Sequence, residues 1–139
     1  MAALRSVVGA QTGGSSGGAM ILVDTSIWVT HLNKGNPRLR ELLEDGRVAC
    51  HSFIIGELAC GRFPHRAEVL RLLKSLPHAE IAAHEEVLEL VERRSLMGTG
   101  VGYIDAHLLA SALISHLPLW TADGKLAEVS YDLGVAYPG

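Results

Sequence analysis

Ile21-Leu22-Val23-Asp24-Thr25-Ser26-Ile27-Trp28 is an apolar run that stops on an acid and passes at once into a capping dipeptide and a second apolar pattern. Three consecutive apolar residues without alternation read as a central parallel strand covered on both faces. Thr25-Ser26 is read as the cap of a helix that continues through Ile27, Trp28 and His31-Leu32 until Gly35 stops it. The fold class then depends on whether this strand-to-helix unit recurs.

It does. Asn36-Pro37 opens a second helix with Leu39, Leu42 and Leu43 as its apolar stripe, and Gly46 ends it. Val48 to Cys50 reads as a second buried strand. Ser52 is read as the cap of a third helix through Phe53, Ile54, Glu57, Leu58 and Cys60, stopped by Gly61 and Pro64. Arg66 to Lys74 is an amphipathic helix, Glu80 to Ala83 a weak strand, and His84 to Met97 a helix burying Val87, Leu88, Leu90 and Val91. After the loop Gly98 to Gly102, an apolar helix runs from Tyr103 to Ser115. A strand Leu119 to Thr121, a turn at Asp123-Gly124, a short helix Lys125 to Val129 and a last strand Val135 to Tyr137 complete the chain. Strands alternating with helices give an α/β fold: a parallel sheet of four to five strands, right-handed crossovers and helices on both faces.

Residues 1–19 end in Gly13-Gly14-Ser15-Ser16-Gly17-Gly18 and read as a flexible lead, a cloning scar or a misplaced upstream start, with the folded domain expected at 20–139. The formal net charge of −3 excludes a broadly basic nucleic-acid binder, so a polyanionic substrate has to be met by a local basic stripe or by metal ions. No apolar run approaches the length of a membrane span, and a cytoplasmic protein is the default expectation. Cys50 and Cys60 lack metal-ligand spacing and are read as buried small hydrophobes in preference to a disulfide.

Four acids stand at junctions between apolar elements and turns or helix starts: Asp24, Glu57, Asp105 and Asp123. In an open parallel sheet, ligands bind beyond the carboxyl ends of the strands. Asp24 ends a central strand; its plain alternative is a helix cap. Glu57 shares a helix face with Phe53, Ile54, Cys60 and Gly61, and its plain alternative is an edge position or a pair with Arg62. Asp105 lies near a helix start, where the dipole alone favours an acid. Asp123 beside Gly124 is by itself an ordinary turn residue. Several acids gathered without matching cations suggest a divalent metal, and hard oxygen donors without a His/Cys cluster suggest Mg²⁺ or Mn²⁺.

Taken in order, Ile21 to Trp28, Ser52 through Ile55-Gly56-Glu57-Leu58 to Gly61, Ile104-Asp105-Ala106-His107-Leu108-Leu109-Ala110 and Leu119-Trp120-Thr121-Ala122-Asp123 resemble the PIN-domain family over nearly all of residues 20–137. The short chain and motif form look most like the VapC-type toxins of toxin–antitoxin pairs. Leu126, where an aromatic is common, and Lys125, where some relatives carry a further acid, depart from that pattern; the second bears on a second metal position. The resemblance implies a three-layer PIN-like sandwich and metal-dependent hydrolysis of an RNA phosphodiester. Asp24 and Asp105 become the principal metal ligands, with Glu57 and Asp123 as direct or water-mediated ligands. Ser26 and Thr121 are expected to orient these carboxylates by hydrogen bonds. It further implies a cognate antitoxin that blocks the acidic groove, a homodimer and an RNA substrate.

Arg38, Arg62 and Arg66, with Arg71, Arg93 and Arg94, are candidate contacts to the RNA backbone, set against a plain solvated helix surface. His107 is read as a packing or dimer-contact residue, and Gly98 to Gly102 as a linker, since it follows a helix and lacks the Lys-Ser/Thr ending of a phosphate loop. Two rival classes remain: a receiver-like signalling domain, which puts paired acids after its first strand, and a non-catalytic RNA- or protein-binding module.

Overall fold

A computed structural model describes residues 18–139. The lead expected at 1–19 therefore lies outside the described residues except for Gly18 and Ala19, the carbonyl of Ala19 accepting Arg47 Nε at 2.9 Å. β1 (Ile21–Val23) is followed by α1 (Thr25–Lys34) and α2 (Pro37–Glu44), then by β2 (Val48–Ala49). Four helices, α3 (Ser52–Ala59), α4 (Arg66–Lys74), α5 (His84–Arg93) and α6 (Tyr103–Ser115), lead to β3 (Leu119–Trp120) and α7 (Gly124–Asp132).

β1 lies between β2 and β3 and is parallel to both, with Ile21 opposite Val48 and Val23 opposite Trp120. Successive strand residues point to opposite faces. Ile21, Leu22 and Val23 are all buried, so both faces of β1 are covered by packed side chains. Trp28 of α1, Leu39, Leu42 and Leu43 of α2, Ile54 of α3 and Leu108 and Leu109 of α6 fill that core. A smaller apolar cluster, Val87 with Ala82, Ala106 and Ala110, joins α5 to α6.

The sheet is narrower than expected. Three regular strands replace four to five, flanked by single parallel bridges at Cys50 with His78 and at Leu119 with Ala136. The expected strand Glu80 to Ala83 does not form because its N–H groups find other acceptors. Glu80 N–H donates to Ser115 Oγ at 2.8 Å, Ala82 N–H to Ser111 Oγ at 3.1 Å and Ala83 N–H to Glu86 Oε1 at 2.8 Å. The expected strand at 135–137 contracts to one bridge against the two-residue β3, held by Leu119 N–H to Val135 O and Tyr137 N–H to Leu119 O.

Two caps also differ. The residue before α1 is Asp24 itself, with Thr25 and Ser26 already helical. The residue before α3 is His51, whose Nδ1 accepts Phe53 N–H at 3.0 Å, while Ser52 is the first helical residue. Helix α5 stops at Arg93, short of Met97, and α7 runs on to Asp132. No helix among the described residues is long and apolar enough to cross a membrane.

The strand order reverses around β1. The chain leaves β1 for the neighbouring β2 and returns, through four helices, to the other side of β1. Such a switch point opens a crevice beyond the carboxyl ends of the strands. Asp24 directly follows β1 and Asp123 closely follows β3.

Candidate active site

Asp24 is only 6% exposed, and its Oδ2 accepts two hydroxyl hydrogen bonds of 2.8 Å, from Ser26 Oγ and Thr121 Oγ1. The same hydroxyl oxygens accept backbone donors from the turn after β3: Ala122 N–H reaches Ser26 Oγ at 2.9 Å and Asp123 N–H reaches Thr121 Oγ1 at 3.0 Å. Each hydroxyl thus gives its proton to the carboxylate and takes one from the backbone. The turn carrying Asp123 is thereby tied to the acid that ends β1. Hydrogen bonds to a charged acceptor are each worth roughly 1.5–3 kcal/mol, enough to fix the rotamer of Asp24.

Asp123 is more than a turn residue. It caps α7, with Oδ1 accepting Lys125 N–H and Leu126 N–H, each at 3.0 Å. Glu57 departs from its expected setting: the buried face of α3 is Ile54, Ile55 and Leu58, and Glu57 is exposed beside it. It pairs with Thr25 Oγ1, which donates to Glu57 Oε1 at 2.9 Å across 32 residues, and not with Arg62. Asp105 stands in the first turn of α6, where a backbone hydrogen bond from Gly102 supports it.

Asp105 lies within reach of the charges of the other three acids. Partial burial pushes the Asp105 carboxyl up from its ordinary value, and the charges of Asp24, Asp123 and Glu57 push it further, against the opposing Gly102 hydrogen bond. The three ion pairs among the described residues, Arg38–Glu41, Arg40–Glu44 and Arg93–Glu89, leave every member of the set out. Each of three acids has one oxygen engaged by the chain, Asp24 Oδ2, Glu57 Oε1 and Asp123 Oδ1, and the other directed to no protein donor among the described residues. No three acid, His or Cys side chains among the described residues grip a common point as they stand.

The arginines separate. Arg62 lines a cleft of about 140 Å³ with Thr25 and Glu57, next to the acids. Arg38 is engaged elsewhere: Nε donates to Tyr137 Oη at 2.8 Å, Nη1 to Glu41 at 3.0 Å, and the guanidinium lies 5.9 Å from the Tyr137 ring. Arg66 donates through Nε and Nη2 to the carbonyl of Ala59 at the end of α3.

Cys50 is buried, which pushes its thiol up to about 12, whereas Cys60 is exposed, contrary to the expectation of two buried thiols. His107 is buried against the Phe53 ring, 4.3 Å between centroids, in keeping with a packing role. Thr25 is the polar residue whose part the sequence hides, because nothing local announces a partner on α3.

Residues 21–131 match the PIN domain. The chain is similar to Ribonuclease VapC32 of Mycobacterium tuberculosis, in strain ATCC 25618 / H37Rv and in strain CDC 1551 / Oshkosh. Each is 48% identical over 118 residues, 84% of this chain and 95% of the relative. A receiver-like domain is set aside by that match. With Asp105 within reach of the charges of Asp24, Asp123 and Glu57 and the family pattern running over residues 21–131, this chain belongs to the PIN-domain family.

Proposed function

We propose that the chain is a Mg²⁺- or Mn²⁺-dependent endoribonuclease, the toxin of a type II toxin–antitoxin pair, with Asp24, Glu57, Asp105 and Asp123 as its catalytic and metal-binding acids. The observation that carries this reading is the gathering of charge at Asp105, whose carboxyl is raised by partial burial and then by Asp24, Asp123 and Glu57, with none of the four acids in an ion pair among the described residues. Mutual repulsion of that kind costs free energy in the fold and is relieved by a positive ligand.

The donor set suits a hard divalent ion. All the candidate ligands are carboxylates, and those of Asp24, Glu57 and Asp123 each keep one oxygen clear of protein donors. Asp24 and Asp105 would hold the ion directly, with Glu57 and Asp123 direct or water-mediated partners. Bound there, such an ion would supply a water of lowered pKa and positive charge opposite the leaving oxygen. The chain supplies orientation. Ser26 and Thr121 fix Asp24, the backbone of α7 fixes Asp123, Thr25 fixes Glu57, and Glu57 and Asp123 position the attacking water for in-line approach to phosphorus. Arg62, beside Glu57, is the best placed of the arginines to meet an RNA phosphate.

The relatives' printed name, Ribonuclease VapC32, supports the same activity here. A cognate antitoxin that blocks the acids, a homodimer and a cytoplasmic setting complete the reading of the chain as such a toxin. The test is RNA cleavage by the purified, partner-free protein with Mn²⁺ or Mg²⁺, beside an EDTA control and Asp24→Asn. Cleavage that requires the metal and falls at least on the order of a hundredfold in the variant is expected. Undiminished cleavage in either control overturns the reading.

A further inference from the structure

Helix α3 carries a glycine at its centre. Gly56 costs the helix about 1 kcal/mol relative to alanine. Packing does not account for it, because a Cβ built on Gly56 meets no atom within 4 Å. Its helical neighbours at three- and four-residue spacing, Ser52, Phe53 and Cys60, border the same face. With Ile104 of α6 and Glu57 they line a groove of about 310 Å³, and the missing side chain forms its floor.

Both walls of the groove are continuous with the acid set. Gly56 precedes Glu57, and Ile104 precedes Asp105. Ile104 is 36% exposed and its neighbour Tyr103 43% exposed, an apolar rim left open beside charged groups. The Phe53 ring is backed by the buried His107 at 4.3 Å, so it is held as a rigid wall.

We propose that this groove receives a nucleobase of the single-stranded RNA whose phosphate is placed at the acids. The inference rests on the nuclease reading above. Glu57, one of the acids, itself lines the groove, and Ile104 precedes Asp105, so a base next to a phosphodiester held by the acids has this groove within reach. A neutral, flat base suits an apolar slot that the neighbouring carboxylates deny to a phosphate. Aromatic and apolar walls hold a base by its faces, which all four bases share, so this subsite binds with little discrimination among them.

Gly56→Leu fills the floor and adds helix propensity, so the fold is retained, as thermal melting and Mn²⁺ titration will show. The variant is expected to raise KM for RNA cleavage about tenfold with Mn²⁺ affinity unchanged, and Gly56→Ala to have a smaller effect in the same direction. Cys60 supplies a second measurement, being the exposed thiol of the groove while Cys50 is buried. Short single-stranded oligoribonucleotides, one of each base, held with Ca²⁺ to avoid turnover, are expected to protect Cys60 of the wild-type protein from a thiol reagent, all four to similar extents. Wild-type KM in Gly56→Leu, or no protection of Cys60 by bound RNA, overturns the proposal. So does an altered oligomeric mass in Gly56→Leu with RNA binding intact, which assigns the groove to a second copy of the chain. Asp24→Asn with undiminished Mn²⁺ binding instead brings down the nuclease reading itself, independently of the groove.

Discussion

Two groups of ionisable side chains sit in this fold, and they are built on opposite terms. Around Asp24, oxygen atoms outnumber donors: three acids each keep an oxygen clear of donors among the described residues, and Asp105 is raised by partial burial and then by its neighbours' charge. Around His51 the polar atoms close on one another. Nδ1 accepts Phe53 N–H at 3.0 Å, so Nε2 carries the proton and meets Ser111 Oγ at 3.0 Å, while Ser111 Oγ also takes Ala82 N–H at 3.1 Å. A buried polar network satisfied within the chain serves the fold; one that leaves acceptors over anticipates a ligand.

The largest break in that comparison is Asp24→Asn. On the acid side it is expected to lower RNA cleavage by at least on the order of a hundredfold, with Mn²⁺ affinity falling alongside, while the melting temperature moves little. A drop in activity explained wholly by unfolding, read by circular dichroism, contradicts the contrast.

Ser111→Ala probes the other side. It strands the His51 Nε2–H and the Ala82 N–H in a dry site and is expected to cost about 2 kcal/mol in denaturant unfolding, with Mn²⁺ affinity of the folded protein unchanged. The same region sets an acid limit. Burial first, then the charges of His107 and His78, push His51 down to about 4 from 6.5. The unfolded chain then takes up a proton that the fold refuses, so stability is lost as pH falls from about 6.5 towards 4. His51→Asn keeps a capping oxygen and removes the titration, and a flatter pH profile of unfolding is expected.

Much of this contrast was legible in the chain, and the rest fails for identifiable reasons. Ile21-Leu22-Val23 declares a covered strand because no alternation is present, and Asn36-Pro37 declares a helix start by cap and ring. His51 does not announce itself as a cap, since histidine is rarely one and Ser52 follows it. The segment 80–83 has the apolar content of a strand, but hydroxyls thirty or so residues away decide its hydrogen bonds. Asp24 and Asp123 were visible from their places after strands. The exposed setting of Glu57 is not legible locally, because helical spacing says which residues share a face and not whether that face is buried. The engagement of Arg38 is hidden for a related reason, its partner Tyr137 lying 99 residues away.

Thr121→Val is a smaller break. It removes one of the two protons held by Asp24 Oδ2 and also the acceptor for Asp123 N–H. About a tenfold loss of Mn²⁺ affinity by calorimetry is expected, with Thr121→Ser recovering most of it. A loss in Val that Ser does not recover points to packing of the methyl group.

Asp105→Asn gives the smallest and most telling effect, because its sign depends on what is bound. The Asp105 carboxyl is raised in the fold, so its ionised form is disfavoured there: its contribution to stability is most favourable below the ordinary carboxylate range and is lost as pH rises through that range. Asparagine keeps an oxygen for the Gly102 hydrogen bond and discards the charge. In EDTA at neutral pH the variant is therefore expected to be more stable than the wild type, by about 0.5 kcal/mol once solvent screening of this half-open site is allowed for. The difference vanishes in acid, where both side chains are neutral. Saturating Mn²⁺ reverses the order, since binding to the native state stabilises the wild type in proportion to its affinity and the variant much less. A crossing of the two melting temperatures between EDTA and Mn²⁺ marks a centre whose repulsion is stored for a cation. Parallel shifts in both buffers make the acid edge as self-contained as the histidine cluster behind it.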